Sequence, residues 1–235
     1  MRTVLLTTDT THHRFYAWRL SQHFPLQAIV VETRCWKPHF ETFHPFEELR
    51  EQYEQNVLLA DFKGAFADLT LTHTVESINS DESVAMLRSY APDVLLVFGT
   101  GKLHPPVIEI PAAVCLNLHG GNPEQYRGLD THLWAIYHRD FPNLVSTLHQ
   151  VEPEFDTGAI VAQAQLQLQK DSELYQLRSI NTEACVEMSV RALSSLQSGS
   201  LPSRKQMSRG RYYSSMPSVL KEDCLKKFEH YVRRL

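Results

Sequence analysis

Three polar residues near the middle of the chain, Asn117, His119 and Asp156, have the types that acyl transfer to an amine requires. An amide and a protonated imidazole can both donate hydrogen bonds to the oxyanion that forms when an amine attacks a carbonyl carbon. A carboxylate close to that imidazole favours its charged form, and it can accept the proton that the amine loses. These residues predict a reaction centre that needs neither a metal nor a covalent nucleophile.

The spacing of these residues indicates how a sheet would bring them together. Asn117 and His119 lie two apart where the apolar run Ala113–Leu118 ends, so strand geometry turns both side chains to one face. Asp156 follows 37 residues after His119, in a Glu-Phe-Asp-Thr-Gly turn between two further predicted strands. The intervening helix and strand are long enough to return this turn to the sheet edge. Taken alone, Asn-x-His also fits a hydrogen-bonded core histidine, and Asp-Thr-Gly also fits an ordinary turn.

Strand and helix patterns alternate along the rest of the chain. This alternation predicts an α/β fold: a mostly parallel twisted sheet with helices on both faces, plus a short C-terminal extension. The predicted strands are Val4–Thr8, Leu26–Glu32, Asp93–Phe98, Ala113–Leu118, Leu144–Val151 and Ala159–Leu168. The predicted helices are His13–Phe24, Phe46–Phe62, one that starts at Asn79 with a capping box to Glu82, Thr131–Arg139, one within Asp171–Ser198, and one with Pro217 at its first position.

Charge is spread unevenly over the 235 residues. The formal net charge is -4, yet residues 201–235 hold nine Lys or Arg against three acids, a balance of +6 that leaves -10 on the rest. We therefore predict a catalytic domain over residues 1–200 and a basic C-terminal extension with a short helix over residues 201–235. A basic tail can meet an anionic ligand such as a nucleotide phosphate. A solvated surface tail is an equal alternative.

Composition excludes several other classes of protein. No stretch approaches about 18 uninterrupted apolar residues, so no membrane span is expected, and the N-terminus lacks the long apolar region of a signal peptide. The cysteines are scattered without a Cys-x-x-Cys pair, which favours a reducing cytoplasm. Twelve histidines occur without His-Glu-x-x-His or paired Cys/His spacing, so no metal is expected. The four cysteines are Cys35, Cys115, Cys185 and Cys224.

A glycine-containing loop, Phe98–Leu103 (FGTGKL), directly follows a predicted strand. The loop lacks the spacing of a P-loop and of the dinucleotide-binding glycine motif. It nevertheless lies at the carboxyl end of a parallel strand, where open α/β sheets bind ligands. Gly99 and Gly101 would leave backbone groups open to a flat ligand. An ordinary strand-to-helix turn is the alternative.

In order and spacing, these motifs resemble the folate-dependent formyltransferases, which act on methionyl-tRNA, glycinamide ribonucleotide or nucleotide sugars. The family pattern is an apolar strand, Asn-x-His, a loop ending in Arg-Gly, a helix and Asp-x-Gly. Here it is carried by Asn117, His119, Arg127–Gly128 and Asp156 with Gly158. The resemblance implies a Rossmann-like fold and catalytic positions for Asn117, His119 and Asp156. It also implies direct attack of an amine on N10-formyltetrahydrofolate through a tetrahedral intermediate.

The resemblance also implies where the co-substrate binds. The folate-binding loop of the family follows the strand before Asn-x-His, which here is Phe98–Leu103, and the folate pocket approaches the Asp-x-Gly turn. The predicted folate contacts are Phe98, Gly99, Thr100, Gly101, Leu103 and Gly158.

Departures from the family fall on the acceptor side of the site. The family commonly has His-x-Ser-Leu-Leu-Pro before Tyr-Arg-Gly, whereas this chain has His119-Gly-Gly-Asn-Pro, with Gly121 in place of serine. The tail offers charge and aromatic surface that would suit a pyrophosphate and a base. The predicted acceptor contacts are Tyr126, Arg127, Gly128, Asp130, His132, Arg209, Arg211, Tyr212 and Tyr213.

By size the chain resembles the nucleotide-sugar N-formyltransferases. The tRNA enzyme carries a second, C-terminal domain for which this chain has no room, so tRNA is not the expected partner. We expect a small-molecule amine acceptor, first the primary amine of a nucleotide-linked amino sugar, with no membrane partner and a homodimer left open. The alternatives are an N-hydroxyornithine-type or other small amine, a formyltetrahydrofolate hydrolase, and a non-catalytic folate- or nucleotide-binding module.

Overall fold

A computed structural model describes residues 1–34 and 37–235; Cys35 and Trp36 lie outside the described residues. The strands are β1 Thr3–Thr7, β2 Leu26–Glu32, β3 Thr72–Val75, β4 Val94–Phe98, β5 Val114–His119, β6 Tyr126–Gly128, β7 Val145–Gln150, β8 Ile160–Gln165 and β9 Arg211–Tyr213. The helices are α1 Thr11–Ser21, α2 Phe46–Tyr53, α3 Asp81–Ser89, α4 Pro105–Ile108, α5 Thr131–Tyr137, α6 Leu177–Gln197 and α7 Ser218–Val232.

Seven strands of the described chain form one mixed sheet in the order β3-β2-β1-β4-β5-β7-β8. The strands from β3 to β5 pair in parallel, and β7 runs antiparallel to both of its neighbours. The predicted α/β class, with its mostly parallel sheet, is confirmed. The carboxyl ends of β1, β4 and β5 meet at one edge, because Thr7 pairs with Phe98 and Val97 with Asn117.

Apolar packing covers both faces of the sheet. Leu5 and Leu96 point into a core with α1 and α6, whereas their neighbours Leu6 and Leu95 point into a second core with α3 and α4. Burial on both faces explains why β1 and β4 are nearly continuous apolar runs instead of alternating ones. The helices on both faces are therefore as predicted.

The start of α3 differs from the prediction. Ser80, not Asn79, is the N-cap, and its hydroxyl accepts a hydrogen bond from the backbone N–H of Ser83. The predicted capping box between Asn79 and Glu82 is therefore wrong. The Asn79 amide instead donates to the carbonyl of Lys102 and accepts from the N–H of His104, so it ties this helix to the loop after β4.

The helix predicted from Phe46 to Phe62 is shorter and changes its geometry. After α2 ends at Tyr53, residues Glu54–Leu58 form a π-helical turn, in which the Glu54 side chain is fully buried. Its carboxylate pairs with the guanidinium of Arg178 on α6 at 2.6 Å. This ion pair joins the α2 region to α6.

The C-terminal segment packs onto the rest of the chain at two places. Strand β9 pairs in parallel with β6, and α7 packs against α5 with Cys224 and Phe228 buried between them. Lys221 of α7 is only 4% exposed and pairs with Glu47 of α2 at 2.7 Å. Pro217 is the N-cap of α7, so the prediction that it occupies the first helical position is off by one residue.

Among the described residues, no helix combines the length and the apolarity needed to cross a membrane.

Candidate active site

Two histidines and an asparagine converge where β5 meets β7. Asn117 and His149 are register partners across these two strands, and the Asn117 amide donates to Nε2 of His149 at 3.1 Å. The other ring nitrogen of His149, Nδ1, lies 2.7 Å from the carbonyl of Gln150. Because a carbonyl only accepts hydrogen bonds, Nδ1 carries a proton, and in the neutral ring Nε2 is the acceptor.

His119 lies at the end of β5 with a fixed orientation. Its Nε2 donates to the backbone carbonyl of Tyr126 at 2.9 Å, and the side chain is 5% exposed. Its Nδ1 faces an oxygen of Asp156 at 3.6 Å, which is longer than a hydrogen bond. The imidazole is therefore oriented through one nitrogen, while the other faces a carboxylate across a short gap.

Asp156 lies in the turn between β7 and β8 and has a positive φ of 54°. One of its carboxylate oxygens accepts the N–H of Gly128 at 2.8 Å, and the other lies 3.5 Å from Nε2 of His149. Burial alone would raise the pKa of this carboxyl. The opposing influence of His119, followed by His149 and the Gly128 N–H, outweighs burial and holds the pKa below its usual range.

The structure thus brings Asn117, His119 and Asp156 together at the carboxyl edge of the sheet. It adds His149, which bridges the asparagine and the aspartate and which the sequence analysis did not select. A signal was present, because His149 lies in a predicted strand seven residues before Asp156. Its role required the register between β5 and β7, which the sequence does not state.

Gly121, the departure from the family's serine, has a steric cause. A Cβ at this position would lie 2.8 Å from the hydroxyl of Thr131 and 3.0 Å from Nε2 of His119. The Thr131 hydroxyl occupies this space and donates to the carbonyl of Gly120. A side chain at position 121 would therefore collide with Thr131 of α5 and with the His119 imidazole.

Packing and hydrogen bonds from neighbouring elements fix the backbone of the loop Phe98–Leu103. Gly99 has a φ of 84°, and a Cβ there would lie 2.2 Å from the ring of His13, so this position requires glycine. The N–H of Gly101 donates to the carboxylate of Glu32 at 2.8 Å. The second oxygen of Glu32 accepts the N–H of Ile78 at 3.1 Å.

The predicted folate contacts in the loop are of two kinds: residues with buried side chains, and residues whose backbone is exposed. The Phe98 ring packs against His13 and Tyr16, and Leu103 is buried. Gly99 and Gly101 are exposed, and Thr100 is half-buried. Ligand contacts at this loop would therefore involve mainly backbone groups, and the predicted folate contacts stay a prediction.

Gly158 has a different environment from these loop glycines. A Cβ at Gly158 would lie 1.8 Å from the carbonyl oxygen of Gln150, so the absence of a side chain is a packing requirement. Gly158 keeps the turn close against β7 and thereby places Asp156.

Several residues at β6 and the start of α5, which the sequence predicts to bind the acceptor, make hydrogen bonds within the chain. The Tyr126 hydroxyl donates to Asp140, and Arg127 donates to the carbonyls of Gly210 and Phe155. Asp130 accepts the N–H of Met216 at 2.8 Å.

His132 donates through Nε2 to the carbonyl of Val145 at 2.7 Å. Burial lowers the pKa of His132 to about 4 despite this hydrogen bond, so the ring is neutral near pH 7.

The predicted acceptor contacts on the tail are more open. Arg209 pairs at the surface with Glu154 at 2.6 Å, and Arg211 lies over the ring of Tyr213. Tyr212 is 47% exposed, and its ring centroid lies 5.8 Å from that of Phe155, the residue before Asp156. This exposed aromatic pair stands beside the turn that carries the carboxylate.

In the part of the chain that the structure describes, no three His, Cys, Asp or Glu side chains are arranged to hold a metal ion.

The fold and the site define a class: an α/β protein with an amide, two imidazoles and a carboxylate at the carboxyl edge of its sheet, beside a glycine-containing loop. The profile of the family described as Formyl transferase matches residues 46–193. The chain belongs to this formyl transferase family, which confirms the resemblance seen in the sequence.

Curated relatives include the methionyl-tRNA formyltransferase of Thermotoga sp. (strain RQ2), which is 30% identical over 155 residues. The match covers 65% of this chain and 48% of that protein. The chain spans about half the length of the curated relatives it matches.

Solved structures with the same fold include a sugar N-formyltransferase from a Shewanella species, with a TM-score of 0.63 and 14% identity over 91% of this chain and 77% of that one. They also include the formyltransferase PseJ from Anoxybacillus kamchatkensis in complex with UDP-4,6-dideoxy-4-formamido-L-AltNAc and tetrahydrofolate. This second structure has a TM-score of 0.53 and 15% identity over 90% of this chain and 85% of that one.

Proposed function

We propose that this chain transfers a formyl group from N10-formyltetrahydrofolate to a primary amine. The observation that carries the proposal is the convergence of Asn117, His119 and Asp156 at the carboxyl edge of the sheet, as the family pattern implies. Each group has a task in this reaction that follows from its contacts.

His119 acts as the principal donor to the oxyanion. Its Nε2–H is engaged by the carbonyl of Tyr126, which sets the ring orientation, and among the described residues Nδ1 meets only the Asp156 carboxylate, at 3.6 Å. A proton on Nδ1 is therefore available to the developing oxygen charge. The Asn117 amide keeps a second N–H besides the one given to His149, and this hydrogen is a further donor.

Asp156 acts mainly through its charge. A carboxylate with a lowered pKa is a poor proton acceptor, but it stabilises a protonated His119 beside it. The proton lost by the amine can instead go to Nε2 of His149 once the Asn117 N–H that donates to this nitrogen has turned away, and the imidazolium so formed faces Asp156 at 3.5 Å. This division assigns electrostatic support to the carboxylate and proton transfer to the second imidazole.

The loop Phe98–Leu103 is the proposed folate site. It offers exposed backbone at two glycines above a floor formed by His13, and an aliphatic side chain, Leu103, closes its inner side. PseJ, which shares the fold, holds tetrahydrofolate in its structure. When bound, the folate supplies the formyl group. The chain's own contribution at this loop is to bind and orient that donor.

Glu32 should set the affinity for this donor, because its carboxylate holds the loop through Gly101 and holds Ile78. Replacing Glu32 with Gln places an amide group against one of these N–H donors. We expect the KM for the formyl donor to rise about tenfold, because hydrogen bonds to charged groups contribute roughly 1.5–3 kcal/mol. Steady-state kinetics with the exposed Glu109→Gln as control would measure this. An unchanged KM would separate this loop from the donor site.

For the acceptor, we propose a nucleotide-linked amino sugar. The support is the tail: the exposed pair of Tyr212 and Phe155 stands beside the turn of Asp156, as does Arg209 through Glu154, and Arg211 lies over the ring of Tyr213 on the same segment. An aromatic face suits a base and guanidinium groups suit a pyrophosphate. The curated relatives are methionyl-tRNA formyltransferases, so methionyl-tRNA is the second candidate acceptor.

A formyl-acceptor panel tests the proposal directly. The chain would be incubated with formyltetrahydrofolate and, separately, with dTDP- and UDP-amino sugars, N-hydroxyornithine, methionyl-tRNA or no acceptor. We expect a formamide product with an amino-sugar nucleotide and little formate without an amine. Rapid formate release in water alone would identify a hydrolase instead. No turnover and no folate binding would remove the enzyme proposal.

A further inference from the structure

We propose that Gln206, in the linker before β9, is a positioning residue that holds the Asp156 turn in its reactive conformation. The inference rests on the proposed function, because it assigns Gln206 an effect through the carboxylate. The side chain of Gln206 makes two hydrogen bonds to the turn backbone, one to the carbonyl of Asp156 and one to that of Gly158, both at 2.9 Å.

The orientation of the Gln206 amide is unambiguous. Both partners are carbonyl oxygens, which accept hydrogen bonds only, so the nitrogen and its two hydrogens must face the turn. One NH₂ group thus satisfies the carbonyls of Asp156 and Gly158. These bonds hold the peptide planes that follow Asp156 and Gly158. Because the first of these planes begins at the Cα of Asp156, its orientation helps to set the direction in which the carboxylate leaves the backbone.

Among the described residues, the hydrogen bonds to the carbonyls of Asp156 and Gly158 come from Gln206, and the Thr157 hydroxyl contacts Glu152 and the carbonyl of Glu154 within the turn. The residues before it, 152–155, are exposed. Asp156 itself holds a positive φ of 54°, a conformation that non-glycine residues adopt at some cost. Nearby tail contacts act on either side: Arg127 donates to the carbonyl of Phe155, and Arg204 pairs with Ile160 through backbone hydrogen bonds. Gln206 acts between them, on the carbonyl of Asp156 itself.

The position of the Asp156 carboxylate matters because it acts on two imidazoles electrostatically, without a short hydrogen bond to either. Asp156 stands 3.6 Å from Nδ1 of His119 and 3.5 Å from Nε2 of His149, so a small rotation of the turn would favour one imidazole over the other. A misplacement of about 1 Å can lower a catalytic rate by roughly 10²-fold. A donor pair remote from the reaction can therefore control the rate without touching substrate.

Three substitutions separate hydrogen-bond donation from packing. Gln206→Met keeps length and volume but has no donor, Gln206→Glu keeps the shape but presents an acceptor to two carbonyls, and Gln206→Lys restores donors. The exposed Gln197 at the end of α6 provides the matched control, Gln197→Met. We expect kcat to fall roughly 10- to 100-fold in the Met and Glu variants, with KM values near wild type. The Lys variant should stay within about threefold of wild type, since its ammonium group can donate to both carbonyls.

A second measurement reports on the turn without any turnover. Hydrogen exchange of the Gly128 backbone N–H, which donates to the Asp156 carboxylate at 2.8 Å, would be measured by NMR in wild type and in each variant. Release of the turn should raise this exchange rate about tenfold or more in the Met and Glu variants, and Gln206→Lys should restore it. The N–H of Leu118 in the paired strands β5 and β7 is the internal reference, because a general loss of stability would raise both exchange rates.

The two measurements distinguish failure of the inference from failure of the proposed function. Wild-type protein that forms no formamide with any acceptor contradicts the function, and the exchange rate of the Gly128 N–H then decides the inference alone. The role of Gln206 is overturned if Gln206→Met leaves both kcat and this exchange rate as in wild type. It is equally overturned if Gln206→Lys loses as much as Gln206→Met.

Discussion

Replacing Asp156 with asparagine is expected to lower kcat for formyl transfer by roughly 10²–10⁴-fold, the range in which positioned acid, base and electrostatic groups act. Asparagine keeps the shape and can still accept the N–H of Gly128, which the wild-type carboxylate accepts at 2.8 Å. It removes the negative charge that stabilises a protonated His119. Single-turnover kinetics with formyltetrahydrofolate and the acceptor found in the panel would measure the loss.

The same substitution should change how stability depends on pH. The folded state holds the pKa of Asp156 below its usual range, so the wild-type carboxylate adds stability above the unfolded pKa of about 3.9. This contribution is lost as the pH falls through the lower pKa of the folded state. The difference in unfolding free energy between wild type and Asp156→Asn should therefore shrink from pH 7 towards pH 3.

Chemical denaturation at several pH values would show this trend. The exposed Asp171 offers a control, because Asp171→Asn should give a small difference at every pH. A wild-type advantage over Asp156→Asn that stays constant down to pH 3 would contradict the ionised, stabilised carboxylate described for the folded state.

Replacing His119 with alanine should lower kcat by roughly 10²–10³-fold, the loss that follows removal of one oxyanion donor. The imidazole is buried and donates to the carbonyl of Tyr126, so alanine would also leave that carbonyl without its partner. His119→Gln serves as the second variant, because its amide can still donate to Tyr126 while carrying no positive charge.

Binding and stability measurements complete this test. Both His119 variants should still bind tetrahydrofolate, since the glycine loop is held by Glu32 and Asn79 and not by His119. The exposed His230 on α7 gives the control variant His230→Ala. Activity near the wild-type level in His119→Gln would mean that the chain is a binding module or uses another donor.

The central strands could be predicted because burial on two faces leaves a strong pattern. Strands β4 and β5 lie within one residue of their predicted bounds, and the two-residue spacing of Asn117 and His119 correctly indicated a shared side of the strand. The return of Asp156 to this edge followed from the length of the intervening elements. These inferences used local periodicity and chain length alone.

Other parts of the site depended on long-range contacts that carry no local signal. Strands β6 and β9 have three residues each and exist because the tail meets the Tyr-Arg-Gly segment. His149 matters because antiparallel pairing sets it opposite Asn117. Glu32 accepts the N–H of Gly101, and Gln206 donates to the carbonyl of Asp156. Each contact joins residues that are far apart in the sequence, and no pattern of residue types predicts it.

The dependence of the Asp156 turn on the tail has a consequence for the order in which the protein matures. All strands of the large sheet precede Gln206 and Gly210 in the sequence, and Gln206 lies 50 residues after Asp156. During synthesis the sheet strands and His119 are therefore made before the tail segment that holds the turn. We therefore expect a nascent chain to acquire its folded sheet first and its chemical competence only in a final docking step.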